Sequence, residues 1–593
     1  MKKLHDKYGM SIPLHKVKVM DRFWGQVIDT SRKGTILACI ENCEKTERMN
    51  NFKRAAGKMP GGFQGNYYDD SDVYKVLEGI AYSLMNEPDA YLEKKADEWI
   101  EIISDAQQED GYLVCYFILD TNQEKRYSDM ERHEDYCLGH MIEAAVAYRH
   151  ATGKTKLLET AVAFADHFAA HVGDGIGDWV PGHQEIELAL VKLYQETEKE
   201  EYLRLSQWLI EERGRGHGVG SGIWGKPEWG PAYAQDDVPA YRMADIKGHA
   251  VRAVFLYSAM CDISGLLDEN RYLPALLRLW DSAVYRNMYI TGGIGSSKEN
   301  EGFTGDYDLP NETAYCETCA AIGMVFWNHR MNGLFLDSKY ADVIERELYN
   351  GALSGVSLDG RKFFYVNPLY SDGTHHRTEW YDCSCCPTQL TRFIPSVGQY
   401  IYMVHADELY LNQYIASEME TKIGEHVIRM KLESEFPYKG GCKLRVLEAG
   451  QGGFVLNLRI PWWCKEYKVR VNGVEWSDSY IEKGYLKLLH PWKEGDVIEL
   501  EFQMTIHIQR SHPKVLHNVG KVALMRGPLV YCMEEVDNKA FDQRVDVEGM
   551  KEEERGDLPA GVVVLRDHQD RILIPYYAWD NREKGRMSVW LTC

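Results

Sequence analysis

A dense group of cysteine and carboxylate side chains lies in the stretch from Gly292 to Pro387. Thiolate sulfur and carboxylate oxygen are both good zinc ligands, and a four-coordinate site often takes its ligands in local pairs. Glu317 with Cys319 forms one such pair and Cys385 with Cys386 another, which provides three sulfurs and one oxygen for a tetrahedral Zn²⁺ site. Five of the fourteen cysteines fall in this stretch, namely Cys316, Cys319, Cys383, Cys385 and Cys386.

Spacing alone does not decide which chemistry these cysteines perform. A structural zinc site is more commonly built from CxxC pairs or from cysteine together with histidine. Cysteine is also often a small core residue, and two neighbouring thiols can form a disulfide. Zinc binding, disulfides and unliganded buried thiols therefore remain alternatives at this point.

Several separated motifs carry a family resemblance. They are Glu301-Gly-Phe, Tyr307-Asp-Leu-Pro-Asn-Glu-Thr-Ala-Tyr, Glu317-Thr-Cys319 and Cys385-Cys386-Pro387, in that order along the chain. With these motifs the chain resembles the zinc-dependent, cysteine-nucleophile β-L-arabinofuranosidases of glycoside hydrolase family 127. The resemblance extends to His140, His183 and His249 in their local contexts and to the order of the domains, so it covers nearly the whole chain.

The resemblance implies a role for each matching residue. Cys385 corresponds to the nucleophile, and Cys386, Cys319 and Glu317 correspond to the other zinc ligands. Glu301 corresponds to the acid/base that protonates the leaving oxygen and then activates water. Zinc holds its cysteine ligands as thiolates, whereas a free thiol is mostly protonated at neutral pH. The spacing itself does not say whether Cys385 or Cys386 faces the sugar.

Three histidines, His140, His183 and His249, lie at or near predicted helix starts. A histidine in such a place often only caps the helix or makes a buried hydrogen bond. Helix starts in a toroidal barrel can converge on one rim, and the resemblance implies that these three side chains contact substrate hydroxyls. Tyr365, in the sequence FFYVNPLY, is expected to be another pocket residue.

Some positions depart from the simplest form of the site. Cys316 is adjacent to one expected ligand and Cys383 lies two places before another, and we expect both thiols to be bystanders. The segment Cys385-Cys386-Pro387 is followed by Thr388-Gln389, where the family pattern runs Pro-Asn. The resemblance therefore does not predict the shape of this part of the pocket wall.

From about Phe23 to His405 apolar residues recur at helical spacing, as where Leu92, Ala96 and Trp99 share one face. About twelve such segments joined by short turns predict an (α/α)6 barrel over residues 1–404, with a less regular helical solenoid as the alternative. The predicted helices begin near Gln26, Val73, Asp89, Glu134, Lys156, His183, Lys199, Asp245, Leu267, Thr313, Asp337 and Thr388.

After His405 the apolar residues alternate with a period of two, as in Phe454, Leu456 and Leu458. This pattern predicts a β-sandwich domain over residues 405–504 and a second one over residues 505–593. The expected fold class is therefore an α plus β multidomain protein, with an (α/α)6 helical barrel followed by C-terminal β-sandwich domains.

The chain carries 68 basic and 90 acidic residues, a net charge of −22. This charge argues against a nucleic-acid or anionic-membrane partner and fits a neutral sugar substrate. The N-terminus lacks the apolar run of a signal peptide, and the sequence predicts no bilayer-spanning segment, so we expect a cytoplasmic protein. A homodimer is compatible with the sequence.

Together the cluster and the resemblance predict a retaining glycoside hydrolase that releases terminal β-L-arabinofuranose from oligosaccharides or glycoconjugates. The particular sugar rests on the resemblance alone. Two alternatives belong to other classes, because a fold does not fix a function. One is a non-catalytic carbohydrate-binding protein with a structural zinc site, and the other is an (α/α)6 sugar isomerase or epimerase.

Overall fold

The computed structural model describes residues 8–119, 125–267, 270–450, 453–477, 480–556, 558 and 562–593. Within these residues helices dominate up to Phe393 and strands dominate after it. The α-helices are α1 (Arg22–Thr30), α2 (Ile36–Lys45), α3 (Arg48–Ala55), α4 (Asp70–Asn86), α5 (Ala90–Ala106), α6 (Cys115–Leu119), α7 (Glu134–Thr152), α8 (Lys156–Ala169), α9 (Ile186–Thr197), α10 (Glu200–Glu211), α11 (Ala250–Leu267), α12 (Leu273–Arg286), α13 (Thr318–Phe335), α14 (Ser338–Arg346) and α15 (Cys385–Phe393).

Six of these helices form a closed inner ring. Contacts run from helix to helix in the order α4, α7, α9, α11, α13 and α15, and α15 returns to α4. Each inner helix is preceded in the chain by an outer one, and these outer helices are α2, α5, α8, α10, α12 and α14. The expected (α/α)6 barrel is therefore confirmed, and the alternative of a less regular helical solenoid is wrong.

Burial separates the inner helices from the outer ones. Outer helix α5 buries a single stripe that includes Leu92, Ala96 and Trp99, whereas inner helix α11 is buried on all sides. Helix α11 is also long and apolar enough to span a bilayer, contrary to the expectation that no segment would be, but 83% of it is buried inside the barrel. Its apolar character is explained by its place in the core.

Three β-sheets accompany the barrel. The strands are β1 (Met10–Ser11), β2 (Val17–Val19), β3 (Tyr370–Ser371), β4 (Tyr402–His405), β5 (Glu408–Leu411), β6 (Ser417–Ile423), β7 (His426–Ser434), β8 (Gly441–Glu448), β9 (Phe454–Arg459), β10 (Tyr467–Val471), β11 (Val474–Glu475), β12 (Ile481–Glu482), β13 (Tyr485–His490), β14 (Val497–Phe502), β15 (Ile506–Gln509), β16 (Lys521–Arg526), β17 (Leu529–Glu534), β18 (Lys551–Arg555), β19 (Val562–Arg566), β20 (Ile572–Pro575), β21 (Met587–Ser588) and β22 (Leu591–Thr592).

The first two sheets contain strands from both ends of the barrel sequence. One sheet has the order β1-β4-β5-β9-β13-β12 and the other has the order β11-β10-β14-β8-β7-β6-β2. Strands β1 and β2 come from residues 10–19, which the sequence analysis placed with the helical barrel. Here they pair with β4 and β6, so this early segment joins the middle β region to the barrel.

The eight strands from Ile506 onward join with β3 in one connected nine-stranded set, not two separate sheets. Its main path is β15-β16-β17-β20-β19-β18, and β21 joins β17 to β3, a short strand of the helical region. The fold class is thus an α plus β multidomain protein whose β regions are hydrogen-bonded to segments of the helical part.

Helix α15, which carries Cys385, packs closely on α4 at a glycine. A Cβ atom added to Gly79 would lie 2.4 Å from the backbone oxygen of Thr391 and 2.6 Å from its Cγ2. Backbone atoms cannot move aside as a flexible side chain can, so the position of α15 depends on the absence of a side chain at Gly79.

We expect Gly79→Ala to destabilise the protein by about 1–3 kcal/mol, because the added methyl group forces α4 and α15 apart. Gly25→Ala is the matched control, since Gly25 is also in a helix but a Cβ added there would meet nothing within 4 Å. Gly25→Ala should stabilise its helix by about 0.5–1 kcal/mol. The midpoint of thermal unfolding checks both variants, and an unchanged or raised midpoint for Gly79→Ala would contradict the packing argument.

Candidate active site

The N-terminal ends of the inner helices meet at one rim of the barrel and line a cavity of about 240 Å³. Each helix N-terminus carries a partial positive charge, so this rim favours anionic groups. The helical lining residues are Ser71, Asp72 and Lys75 of α4, Tyr136 of α7, Val251, Arg252 and Phe255 of α11, Cys319 of α13, and Cys385 and Gln389 of α15.

Four predicted metal ligands lie together beside this cavity. One ligand atom each from Glu317, Cys319, Cys385 and Cys386 falls within 4.8 Å of all the others. The Sγ atom of Cys386 is 3.4 Å from that of Cys319 and 3.8 Å from that of Cys385. Glu317 Oε1 lies 3.6 Å from Cys385 Sγ and 3.7 Å from Cys386 Sγ.

These separations match the edges of a tetrahedron around a metal ion. Zn–S bonds of about 2.3 Å and Zn–O bonds of about 2.0–2.2 Å place tetrahedral ligands about 3.8 Å apart for two sulfurs and about 3.5 Å apart for sulfur and oxygen. A disulfide requires about 2.05 Å, and all fourteen cysteines lie in the described residues as unpaired thiols. The disulfide alternative is therefore wrong.

Electrostatics also favour a cation in this cluster. Burial raises the pKa of Glu317, and the nearby Cys385 raises it further. Burial likewise raises the pKa of Cys386, as do its contacts with Cys319 and Cys385. Oε2 of Glu317 is buried and has no hydrogen-bond partner among the described residues. Three thiols and a carboxyl group with an unused oxygen are a donor set that fits a divalent metal ion.

Glu301 is held against the start of α11 by a tight hairpin. Its own φ is 49°, in the left-handed region, and its carbonyl oxygen accepts a hydrogen bond of 3.0 Å from Ala250. A Cβ atom on the next residue, Gly302, would lie 1.7 Å from the carbonyl oxygen of Gly248, so only glycine permits this approach. The unusual backbone conformation therefore fixes the position of the Glu301 backbone and the direction in which its side chain leaves it.

The Glu301 carboxylate is shared by two polar neighbours. Its Oε2 is 3.3 Å from Nε2 of His249 and accepts a hydrogen bond of 3.1 Å from the Tyr315 hydroxyl. Polar atoms of His249, Glu301 and Glu317 all lie within 4.8 Å of one another. The expected acid/base is thus next to the expected metal cluster.

Three of the expected substrate-binding side chains line the cavity, namely His183, His249 and Tyr365. The ring centres of His183 and His249 are 5.6 Å apart. Tyr365 Oη lies 3.3 Å from Cys385 Sγ. Burial lowers the pKa of both histidines, which favours neutral rings that can donate to or accept from sugar hydroxyls.

His140 is not among the residues that line the cavity, so its expected contact with substrate stays a prediction. Its side chain is fully buried and its Nδ1 lies 3.1 Å from Oε1 of Glu185. Tyr136 stands four residues earlier on α7, and the two rings are 4.5 Å apart. Residues four apart share one face of a helix, so Tyr136 faces the cavity and covers His140.

The two extra thiols take different positions. Cys316 is buried, is not one of the four clustered ligands, and its carbonyl oxygen accepts a hydrogen bond from Asn367. Cys383 lines the cavity at 3.9 Å from the Tyr365 hydroxyl, and it too is outside the group of four. Their bystander role stays a prediction.

Several lining residues were not found from the sequence. Arg252 pairs with Glu131 at 3.1 Å and follows His249 by one helical turn, as Gln389 follows Cys385. These two spacings were visible in the sequence and could have marked both residues. Lys75 gave no such signal, because only the closure of the ring brings α4 beside α15.

The cavity is closed at its floor and opens past Glu301. The side chain of Lys75 is only 1% exposed and donates a 3.0 Å hydrogen bond to Tyr136, whereas the Glu301 side chain is 39% exposed. Below the floor, the buried Arg392 guanidinium lies 2.9 Å from Glu78 and 3.6 Å from Glu143. A ligand therefore enters from the Glu301 side.

Protein-family models match three consecutive parts of the chain. The model described as the catalytic domain of glycoside hydrolase family 127 β-L-arabinofuranosidase matches residues 16–399. The middle-domain model of the same family matches residues 408–504, and the family's C-terminal-domain model matches residues 506–592.

Individual relatives agree with these models. A non-reducing end β-L-arabinofuranosidase of Bifidobacterium longum subsp. longum is 36% identical over a 620-residue alignment that covers 92% of each chain. The structure of a family 127 β-L-arabinofuranosidase from Geobacillus stearothermophilus T6 is 40% identical, has a TM-score of 0.92, and covers 97% of this chain and 99% of its own. A further family 127 β-arabinofuranosidase structure is 38% identical, with a TM-score of 0.91 and coverage of 99% of this chain and 98% of its own.

We expect the purified protein to carry one divalent metal ion per chain, and Cys319→Ser to lose most of it because one of four tetrahedral ligands is removed. Cys316→Ser and Cys383→Ser are the matched controls and should keep the metal, since neither sulfur belongs to the four-atom cluster. Elemental analysis of the three variants after dialysis measures this. Full metal content in Cys319→Ser, or loss of metal in either control, would contradict the assignment of ligands.

Proposed function

The chain belongs to the β-L-arabinofuranosidases of glycoside hydrolase family 127, and from this membership we propose that it releases terminal β-L-arabinofuranose with retention of configuration. In this proposal Cys385 is the nucleophile, Glu301 is the acid/base, and Glu317, Cys319, Cys385 and Cys386 bind zinc. Because the chain is a glycoside hydrolase, the isomerase and the non-catalytic binding protein are set aside.

The main support for the proposal is that Cys385, unlike its neighbour Cys386, is exposed to the cavity. Cys385 lines the cavity, whereas Cys386 is completely buried and does not line it. Of these two adjacent cysteines, only Cys385 can therefore meet a sugar without a change in the fold, which favours it over Cys386 as nucleophile. Cys319 also reaches the cavity wall, but only 4% of it is exposed.

In the first step, Cys385 Sγ forms a bond to the anomeric carbon while the bond from that carbon to the leaving oxygen breaks. The chemistry that zinc supplies when bound is to keep the cluster thiols deprotonated, so that a nucleophilic sulfur is present at neutral pH. The Tyr365 hydroxyl is 3.3 Å from the sulfur and orients the Cys385 side chain: its oxygen accepts a hydrogen bond from the thiol, and its proton is donated once the sulfur is a thiolate.

The leaving oxygen must receive a proton in the same step. Burial raises the pKa of Glu301, but hydrogen bonds from His249 and Tyr315 outweigh burial and lower that pKa to about 2. A bound sugar that takes over these hydrogen bonds leaves burial to raise the pKa, so we place the proton on Glu301 in the substrate complex, 3.3 Å from His249. From Glu301 the proton passes to the leaving group on the open side of the cavity.

In the second step, the Glu301 carboxylate accepts a proton from water, whose oxygen attacks the anomeric carbon and breaks its bond to Cys385. Two displacements at one carbon return the original configuration. The sugar leaves as free β-L-arabinofuranose, and the sulfur returns to its starting state. The closed floor of the cavity supports action on terminal residues, because a chain cannot pass through it.

We also propose that the hydrolysis takes place in the cytoplasm.

We expect the protein to hydrolyse p-nitrophenyl β-L-arabinofuranoside, and Cys385→Ser to lower kcat by at least roughly a thousandfold, because a hydroxyl replaces the thiolate. Cys316→Ser is the matched control and should keep the wild-type rate. Release of p-nitrophenol, measured together with metal content and the thermal midpoint, checks this. A folded Cys385→Ser variant with wild-type activity would refute the nucleophile, and an inactive, metal-loaded wild type would refute the sugar assignment.

Glu301→Gln should slow the hydrolysis of substrates with poor leaving groups far more than that of substrates with good ones, because a good leaving group departs without being protonated. We expect a loss of about 10²- to 10⁴-fold in kcat/KM for an alkyl β-L-arabinofuranoside and a much smaller loss for the 2,4-dinitrophenyl glycoside. The matched control is Glu299→Gln, whose side chain is 80% exposed and paired with Lys226 at 3.4 Å. Equal losses on the two substrates would show that Glu301 is not the acid.

A further inference from the structure

Gln389, one of the residues that line the cavity, carries a buried hydrogen-bond donor. The residue is only 2% exposed, yet it belongs to the cavity lining. Its Nε2 is buried, and no atom of the described part of the chain accepts a hydrogen bond from it. Leaving such a donor unsatisfied costs free energy, so a ligand or a water molecule must supply the acceptor.

The orientation of this amide is fixed by its other end. Gln389 Oε1 accepts a 2.8 Å hydrogen bond from Nε of Arg392. A guanidinium group has donors only, so the oxygen of the amide must face it and the nitrogen must point away. Arg392 cannot turn aside, because it is buried and ion-paired with Glu78 at 2.9 Å.

The position of Gln389 relates it to the reacting centre. It lies four residues after Cys385 on α15, so the two side chains share one helix face with their Cβ atoms about 5–6 Å apart. Cys385 is partly exposed in the cavity, whereas Gln389 is buried among the floor residues with Lys75. When the anomeric carbon is at Cys385 and the leaving group points past Glu301, the far side of the sugar ring faces this floor.

We propose that Gln389 determines specificity by donating a hydrogen bond to the primary hydroxyl group of the bound furanoside. This inference rests on the proposed function. The hydroxymethyl substituent is the part of an arabinofuranose furthest from the anomeric carbon, and its oxygen provides the acceptor that the amide nitrogen lacks. A sugar without that hydroxyl leaves the donor unpaired, so the site selects against it.

The test compares p-nitrophenyl β-L-arabinofuranoside with its 5-deoxy analogue in the wild type and in Gln389→Leu. We expect Gln389→Leu to lower kcat/KM for the hydroxylated substrate by about tenfold and to leave the value for the 5-deoxy analogue nearly unchanged. Gln389→Asn keeps the amide but withdraws it by one methylene, and it should show the same pattern if the leucine variant does not fold.

Gln413→Leu is the matched control. Gln413 is another buried glutamine, with its Nε2 hydrogen-bonded to Ala341 at 2.9 Å and outside the cavity lining, so its loss should not alter the ratio between the two substrates. Equal losses on both substrates in Gln389→Leu, or no loss on either, would overturn the inference alone. Failure of the wild type to hydrolyse the parent glycoside would overturn the proposed function, and the inference with it.

Discussion

The site depends on one electrostatic constraint, the gathering of three thiols and a carboxyl group within 4.8 Å in a buried position. Such groups cannot all ionise side by side unless positive charge is supplied, because burial and mutual repulsion favour the protonated forms. A divalent metal ion bound at this cluster would supply most of that charge. The N-terminal ends of the inner helices contribute further, since α13 begins at Thr318 and α15 begins at Cys385 itself.

The closed ring of helices places this cluster in a pocket that opens at one end only. Each inner helix brings its first turns to the same rim, so residues far apart in sequence meet there, such as Lys75, Cys319 and Cys385. The polar layer around Arg392 closes the inner end of the pocket, and the hairpin that carries Glu301 lies at its open end. In the proposed mechanism, a sugar bound there has its anomeric carbon between the Cys385 sulfur and the Glu301 carboxylate, with the leaving group toward solvent.

Much of this could be predicted from the sequence, because helical periodicity and local ligand pairs are encoded in short segments. The helix order, the four clustered ligands and the cavity positions of His183, His249 and Tyr365 are of this kind. The distance of a helical residue from the cavity was harder to predict. His140 occurs in a similar local context but lies one helical turn from Tyr136, whose side chain lies between it and the cavity. The pairing of residues 10–19 with the middle sheets depends on strand partners about 400 residues away, which periodicity does not reveal.

The most direct test of the account is to identify the residue that becomes covalently attached to the sugar. Glu301→Gln incubated with 2,4-dinitrophenyl β-L-arabinofuranoside should form the bond to sulfur but break it slowly, because no base activates water. Mass spectrometry of the digested protein should then find one pentose on the peptide that contains Cys385, with fragment ions that place it on that residue. A pentose on another residue, or rapid turnover with inverted product and no adduct, would contradict the account.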